Sequence, residues 1–276
     1  MKILTLITYT LRELSSKLTL YFLAGISTLI IVFLALGLSS QTISGGVVVT
    51  LFGAPITPPM PSGELETLVT RMQASLADGL LFGIVLFGVI ATAGIIPSAL
   101  ERGTIDLYLS KPIARWELLL GKSLGAVLVV LVNVVYFLGA VWIIFGIKIG
   151  VWNFHLVWAA FSITLAFACL YSVVMLLGVV SQGSALPILG AFLYLFIIGN
   201  ILQSREETLY RISDNGIYRG LLDGLYYLLP QLSALKKNVA DQILGNLPEW
   251  KPVVQSLLSG GLLFGFGVAL FNHKDF

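Results

Sequence analysis

Few residues in this chain have types and spacings that could do chemistry. Gly121-Lys122-Ser123 has the ending of a phosphate-binding loop, in which backbone amides and a lysine cradle a nucleotide. That motif needs an earlier glycine, and the position where it would stand holds Trp116. An apolar run follows at once, and Trp-Glu-Leu-Leu-Leu lacks the backbone freedom to wrap phosphates. We therefore read Lys122 as a cation at the lipid headgroup level, its stem along apolar surface. The two histidines, His155 and His273, sit at predicted span ends on opposite sides of a membrane and cannot share a metal. The single cysteine, Cys169, excludes an intrachain disulfide and any cysteine-rich metal site. No His-Glu-x-x-His run and no pair of aspartates inside an apolar run occurs. The expectation is a chain without catalytic, cofactor-binding or metal-ligating residues.

Composition sets the class of structure that must hold these residues. Charged residues are 11% of the 276 and hydrophobic ones 57%, where soluble domains carry roughly 25% charge. The mean hydropathy of +0.96 requires an integral membrane protein. A net charge of +2 without a basic run argues against nucleic acid as a partner. Crossing ~30 Å of hydrocarbon takes about 20 apolar residues as helix. Six runs qualify, at about 18–38, 79–98, 118–146, 155–180, 184–203 and 253–271. Lipid satisfies no backbone group, so each must be helical. The expected fold is all-α, one polytopic domain over 1–276 with membrane lipid as its solvent.

Basic residues set the orientation. Lys2, Arg12 and Lys17 precede the first span, four basic residues lie between spans two and three, and Lys274 follows span six. Both termini and the loop 99–117 are therefore expected in the cytoplasm, with 39–78 and 204–252 external. Residues 1–17 place Ile3, Ile7, Leu11 and Leu14 on one helical face. This predicts either an interfacial helix on the membrane surface or a cytoplasmic extension of span one. Within 39–78, Pro58-Pro59 and Pro61 predict extended chain, after which Ser62 caps a separate helix with Glu64 and Glu66 in its first turn. In 204–252, Pro230 divides two short amphipathic helices, too apolar to float and too short to span. Small-x-x-x-small pairs occur at Gly79/Gly83, Gly121/Gly125 and Gly261/Gly265, where helices can approach closely.

Seven of the chain's thirty formal charges fall between Glu101 and Lys122. Thr104 can cap a short helix with Asp106 in its first turn. Pro112 stops that helix at or before Lys111. Ser110 can cap a second helix, with Pro112 in its first turn, that runs through Trp116 into span three. Ile105, Leu107 and Leu109 alternate with Asp106, Tyr108 and Ser110, as a strand would. In either form the piece is short, apolar and flanked by charge, which suits a partner's groove; the alternative is an ordinary loop that fixes topology.

Glu101-Arg102-Gly103-Thr104, then Leu107-Tyr108-Leu109-Ser110-Lys111-Pro112, Arg115 and Gly121-Lys122 resemble the cytoplasmic loop of ABC transporter permeases of the type-2 exporter family. An N-terminal surface helix, six spans, short helices before span six and the tail His273-Lys274-Asp275 extend the resemblance along the chain. Leu228-Leu-Pro-Gln-Leu232 resembles the segment before span six in the subgroup that includes the permease for nitrous-oxide-reductase maturation. The resemblance implies that Thr104–Ser110 form a coupling helix seated in a separate P-loop ATPase. Glu101 and Arg102 would orient it, and Arg115 would lie near the cytoplasmic interface. It also implies two permease copies or paralogues, with ATP and Mg in the partner ATPases, in the inner (cytoplasmic) membrane. The 204–252 segment is a candidate site for an external partner.

Polar groups within spans that could line a substrate path are Asn133, Tyr136, Ser162, Thr164, Tyr171 and Ser172, each equally able to satisfy a neighbouring helix. A competing expectation is an ATPase-linked anchor or scaffold that moves no cargo. A third is an autonomous carrier, disfavoured because the spans hold so little charge.

Overall fold

The computed structural model describes residues 2–16, 18–43, 46–101, 103–105, 113–181, 183–205, 207, 209–211 and 215–274. An amphipathic helix, α1 (Lys2–Ser15), comes first and is followed by α2 (Leu18–Gly37). Strands β1 (Leu38–Ile43), β2 (Gly46–Leu51) and β3 (Ala54–Pro55) come next. Helix α3 (Ser62–Gly83) continues through a π-helical turn (Ile84–Gly88) into α4 (Val89–Thr92) and α5 (Ile95–Ala99). Then come α6 (Arg115–Ile149), α7 (Phe154–Ser181) and α8 (Ala185–Leu193), which runs through a second π-helical turn (Tyr194–Ile198) into α9 (Gly199–Gln203). The chain ends with α10 (Gly216–Leu228), α11 (Leu232–Ile243) and α12 (Trp250–Asn272). Among the described residues, six helices are long and apolar enough to cross a membrane: α2, the 62–99 run, α6, α7, the 185–203 run and α12.

Helix α7 is the axis of the bundle: 72% of its most apolar window is buried, against 22% in α2. Its core residues Leu156, Ile163, Phe167, Leu170 and Met175 are all within 1% of full burial. At one end of the bundle lie α1, the described residues on either side of the charged connection and the end of α12; at the other lies the small sheet with α10 and α11.

Three features differ from the sequence expectation. The connection between the first two spans, expected to be extended chain, forms a three-stranded antiparallel sheet, with Leu38 opposite Leu51 and Thr50 opposite Pro55. The run Val47-Val48-Val49 favours a strand. Gly46 holds φ +141°, where an added Cβ would lie 2.3 Å from the Met60 carbonyl oxygen, so the turn into β2 needs glycine. The helix that starts at Ser62 is continuous with the second span over 38 residues. Its buried stripe Leu65, Val69, Ala77 and Leu81 runs unbroken into the apolar segment. Composition changes there from polar to apolar, but no residue stops the helix. The third span begins at Arg115, with Ala114 extended at ψ 145° in the cap position. Glu117 accepts a hydrogen bond from the Ala114 amide at 2.9 Å, so this helix is capped at Ala114, while Ser110 lies outside the described residues.

Of the three small-residue pairs, only Gly121/Gly125 brings helices of this chain together. A Cβ at Gly121 would lie 2.6 Å from Leu6 Cβ, and one at Gly125 2.6 Å from Thr10 Cβ. At Gly79, Gly83, Gly261 and Gly265 a Cβ would meet nothing within 4 Å. Leu6, Thr10 and Leu14 are the buried stripe of α1, at 5%, 0% and 0% exposure. The centre of the packed face is thus one residue away from the Ile3–Ile7–Leu11 line. It includes a threonine because Thr10 returns its hydroxyl proton to the Leu6 carbonyl at 2.8 Å. Helix α1 is a separate helix docked on α6.

Overpacking this contact is expected to cost about 1–3 kcal/mol. Gly125→Leu should therefore lower the unfolding midpoint in detergent and open α1 to protease, whereas Gly139→Leu, which faces open space, should do neither.

Candidate functional site

The charged stretch near Glu101–Lys122 is built on a reversal of direction after α5. Gly103 sits at φ +86°, and the Glu101 carbonyl accepts from the amides of Thr104 (3.1 Å) and Ile105 (3.0 Å). Thr104 and Ile105 are helical, so Thr104 lies inside a turn and is not its cap. Ile105 is fully buried in the core, while Glu101 is exposed. Arg102 and Asp106, Leu107, Tyr108, Leu109, Ser110, Lys111 and Pro112 lie outside the described residues. The choice between helix and strand there, and the Pro112 stop, therefore concern residues the structure does not describe.

The far root of the loop is tied to the chain end. Arg115 donates from one guanidinium nitrogen to the carbonyls of Phe271 (2.6 Å), Asn272 (3.1 Å) and Lys274 (2.9 Å), and lies 5.3 Å over the Phe271 ring. Lys274 in turn donates to the Val179 carbonyl at 2.5 Å, at the end of α7. Two cations thus occupy two helix C-termini, where orphan carbonyls and the helix dipole favour positive charge. Trp116 beside them is half exposed.

Lys122 is not at the surface. It is 1% exposed, and its ammonium donates to Glu13 Oε2 of α1 at 2.6 Å. The other Glu13 oxygen accepts from Ser98 Oγ at 3.2 Å, and the ammonium lies 5.0 Å over the Tyr9 ring. One buried ion pair therefore joins α1, the end of the second span and the start of the third. This corrects the headgroup expectation: Gly121 brings α1 close enough to supply a carboxylate. The sequence carries an amphipathic α1 and a glycine pair at 121 and 125, but nothing in it links the two.

Gly121-Lys-Ser-Leu-Gly125 also has the Gly-x-Ser-x-Gly spacing of a nucleophile elbow. An elbow needs a strained strand-to-helix turn that exposes the serine. Ser123 instead lies inside the continuous helix α6, buried at 9% exposure.

The six candidate path residues each have a hydrogen-bond partner inside the chain and do not converge. Asn133 accepts from Ser27 at 3.1 Å, and the Tyr136 hydroxyl meets Thr28 at 3.1 Å, both joining α6 to α2. Ser162 donates to Gln242 at 2.6 Å, which ties α11 to α7. Tyr171 donates to the Thr92 carbonyl at 3.2 Å. Thr164 and Ser172 return their protons to their own helix, at Ala160 and Cys169.

At the sheet end a second charged group escaped the sequence reading. Asp223 of α10 accepts from Arg205 Nε and from the Tyr210 hydroxyl, each at 2.7 Å. The hydrogen bond from Arg205, then that from Tyr210, holds the Asp223 carboxyl below the usual carboxylate range. The same bond to Asp223 pushes the Tyr210 hydroxyl above its ordinary value, so it stays a donor. Arg205 stacks 3.7 Å from the centre of the Tyr226 ring. Among the described residues, no group of three or more His, Cys, Asp or Glu is placed to hold a metal.

The fold defines a polytopic membrane protein whose charged connection is rooted in three helices at one end of the bundle. The sequence pattern of the ABC-2 family transporter proteins matches residues 28–276, and the chain belongs to that family. It is a permease, a membrane transport subunit of a family whose members typically work with ATP-binding subunits. No curated protein matches the chain in sequence.

Removing one partner of a buried ion pair costs about 3–5 kcal/mol, while replacing both by apolar residues is often near neutral. Unfolding midpoints in detergent should fall for Glu13→Leu and for Lys122→Met, and recover most of the loss in the double variant. A depressed carboxyl stabilises the folded state above its unfolded pKa, about 3.9 for Asp, and that stability is lost as pH falls through the lower folded value. Proteolysis at 204–223 should accordingly rise only in acid, and Asp223→Asn should remove that pH dependence while raising cleavage at neutral pH.

Proposed function

We propose that this chain is the membrane-spanning half of an ABC exporter driven through the loop 99–117. Two copies, or one copy and a paralogue, assemble with two P-loop ATPases. ATP and Mg are bound by the ATPases, and the docking residues are Glu101 to Pro112 with Arg115. The chain lies in the inner membrane with both termini and this loop in the cytoplasm. The resemblance of Leu228–Leu232 supports a position near the subgroup of the nitrous-oxide-reductase maturation permease, and in this reading the segment 204–252 faces an external partner.

The observation that carries this reading is how the loop is rooted. Ile105 is sunk in the core, Arg115 clamps the last helix, and the Glu13–Lys122 pair holds α1 a short distance along α6. A push on the loop is therefore delivered to the second, third and sixth spans and to α1 together. A loop with no mechanical role would need only basic residues to fix topology.

One observation favours the anchor reading: all six candidate path residues are hydrogen-bonded within the chain. In the exporter reading the path then runs between two permease subunits.

The test is co-purification from native expression. A P-loop ATPase should accompany the full chain, and deletion of 104–110 or Glu101→Ala should uncouple its ATP hydrolysis from the permease. Normal assembly and ATP-driven activity after the deletion would contradict the proposal.

A further inference from the structure

We propose that a hollow at the sheet end of the bundle binds one zwitterionic phospholipid, with an acyl chain in an apolar arm and the headgroup in a polar cup. The arm, of about 230 Å³, lies between the second span and the 185–203 run, lined mainly by Leu81, Phe82, Leu86, Leu195 and Phe196, with Asn200, Ser233 and Lys236, the last paired with Asp78 at 3.0 Å. Both of its walls contain the π-helical turns Ile84–Gly88 and Tyr194–Ile198. Such turns widen a helix locally and frequently mark functional sites. The second is held open by Asn200, whose side-chain amide donates to the carbonyls of Leu195 (3.4 Å) and Phe196 (3.2 Å).

A narrow neck shares Tyr194 and Leu232 with the arm and Gln203 and Tyr226 with the cup. Its floor is fixed where the Tyr194 hydroxyl donates to the Pro230 carbonyl. The cup, of about 380 Å³, is lined by Arg205, Glu207, Tyr227, Glu249, Lys251 and Gln255 among others. The cup's volume lies within the range of small-ligand sites, roughly 300–1,000 Å³, and the arm's a little below it. The cup opens beside Trp250, which is 70% exposed at the start of the last span, where amphipathic rings sit among lipid headgroups.

The two halves select the occupant together. A free ion would leave the arm empty, and a hydrocarbon would leave the cup's charges unmatched. An anionic headgroup would face Glu207 and Glu249, whereas a phosphate joined to an ammonium meets both signs. The phosphate fits Lys251 and the Gln255 amide, whose Nε2 is buried with no hydrogen-bond partner. The ammonium fits Glu249, where it would compete with the exposed Lys237 at 3.5 Å, and the half-exposed face of Tyr227. Arg205, engaged with Asp223 and stacked on Tyr226, forms the wall. Binding here requires neither an ATPase nor transport, so it stands or falls apart from the exporter proposal.

The full chain, with whatever subunits it retains, is stripped of lipid in detergent and offered phosphatidylethanolamine, phosphatidylglycerol or diacylglycerol with identical chains. Bound lipid is counted by native mass spectrometry. Phosphatidylethanolamine should be retained at about tenfold lower concentration than the other two. Lys251→Glu should abolish that preference, and Leu86→Trp or Ser233→Trp, each with an unchanged unfolding midpoint, should remove the bound molecule. Equal retention of all three lipids, a preference for phosphatidylglycerol, or no retention would each overturn the proposal.

Discussion

A lysine buried to 1% exposure next to an apolar span is the constraint around which this end of the molecule is arranged. A charge so placed is tolerated only when it is paired and hydrogen-bonded. Glu13 meets that need from a different helix, at 2.6 Å, which requires α1 to lie directly against α6. Glycine at 121 and 125 permits the approach, and Ser98 satisfies the second carboxylate oxygen from the end of the second span. Electrostatics and packing therefore specify the same contact.

From that contact the rest of the end follows. The start of α6 is fixed by Glu117 on the Ala114 amide, so Arg115 emerges at a defined point and reaches the carbonyls that close α12. Lys274 then closes α7. Helix α1, the two roots of the charged loop and the chain end are joined by interactions to backbone or buried charge, which long surface side chains alone would not provide. The opposite end is held differently. There α11 buries Leu235, Val239 and Ile243, while α10 leaves Ile217, Leu221 and Leu225 uncovered. One end is tied together by buried charge and backbone contacts, and the other leaves apolar surface uncovered.

The six spans were legible because an apolar run of about 20 residues has few other fates. The division of the amphipathic segment at Pro230 was legible for a similar reason, since proline removes a donor and ends a helix. The sheet was not, because Val47–Val49 and Ala54-Pro55 are too short to announce their pairing and the prolines dominate the local signal. Nor was the fusion of the 62–78 helix with the second span: hydropathy changes at position 79 but the backbone has no reason to break. In the candidate site, the resemblance pointed to the loop, yet the roles of Lys122 and Arg115 lay in contacts more than 100 residues apart in sequence. No spacing rule reports such contacts. The Gly121/Gly125 pair was indistinguishable in sequence from Gly79/Gly83, and only the presence of Leu6 and Thr10 separates them.

The central claim is that α1, the root of the third span and the end of the sixth form one rigid body that carries motion of the loop into the bundle. It is tested most directly by distances between spin labels on the exposed positions Thr8, Trp116 and Asn272, measured with and without ATP in the assembled transporter. The account predicts narrow distance distributions that do not change with nucleotide. Distributions that broaden or shift among these three sites when ATP binds would contradict it.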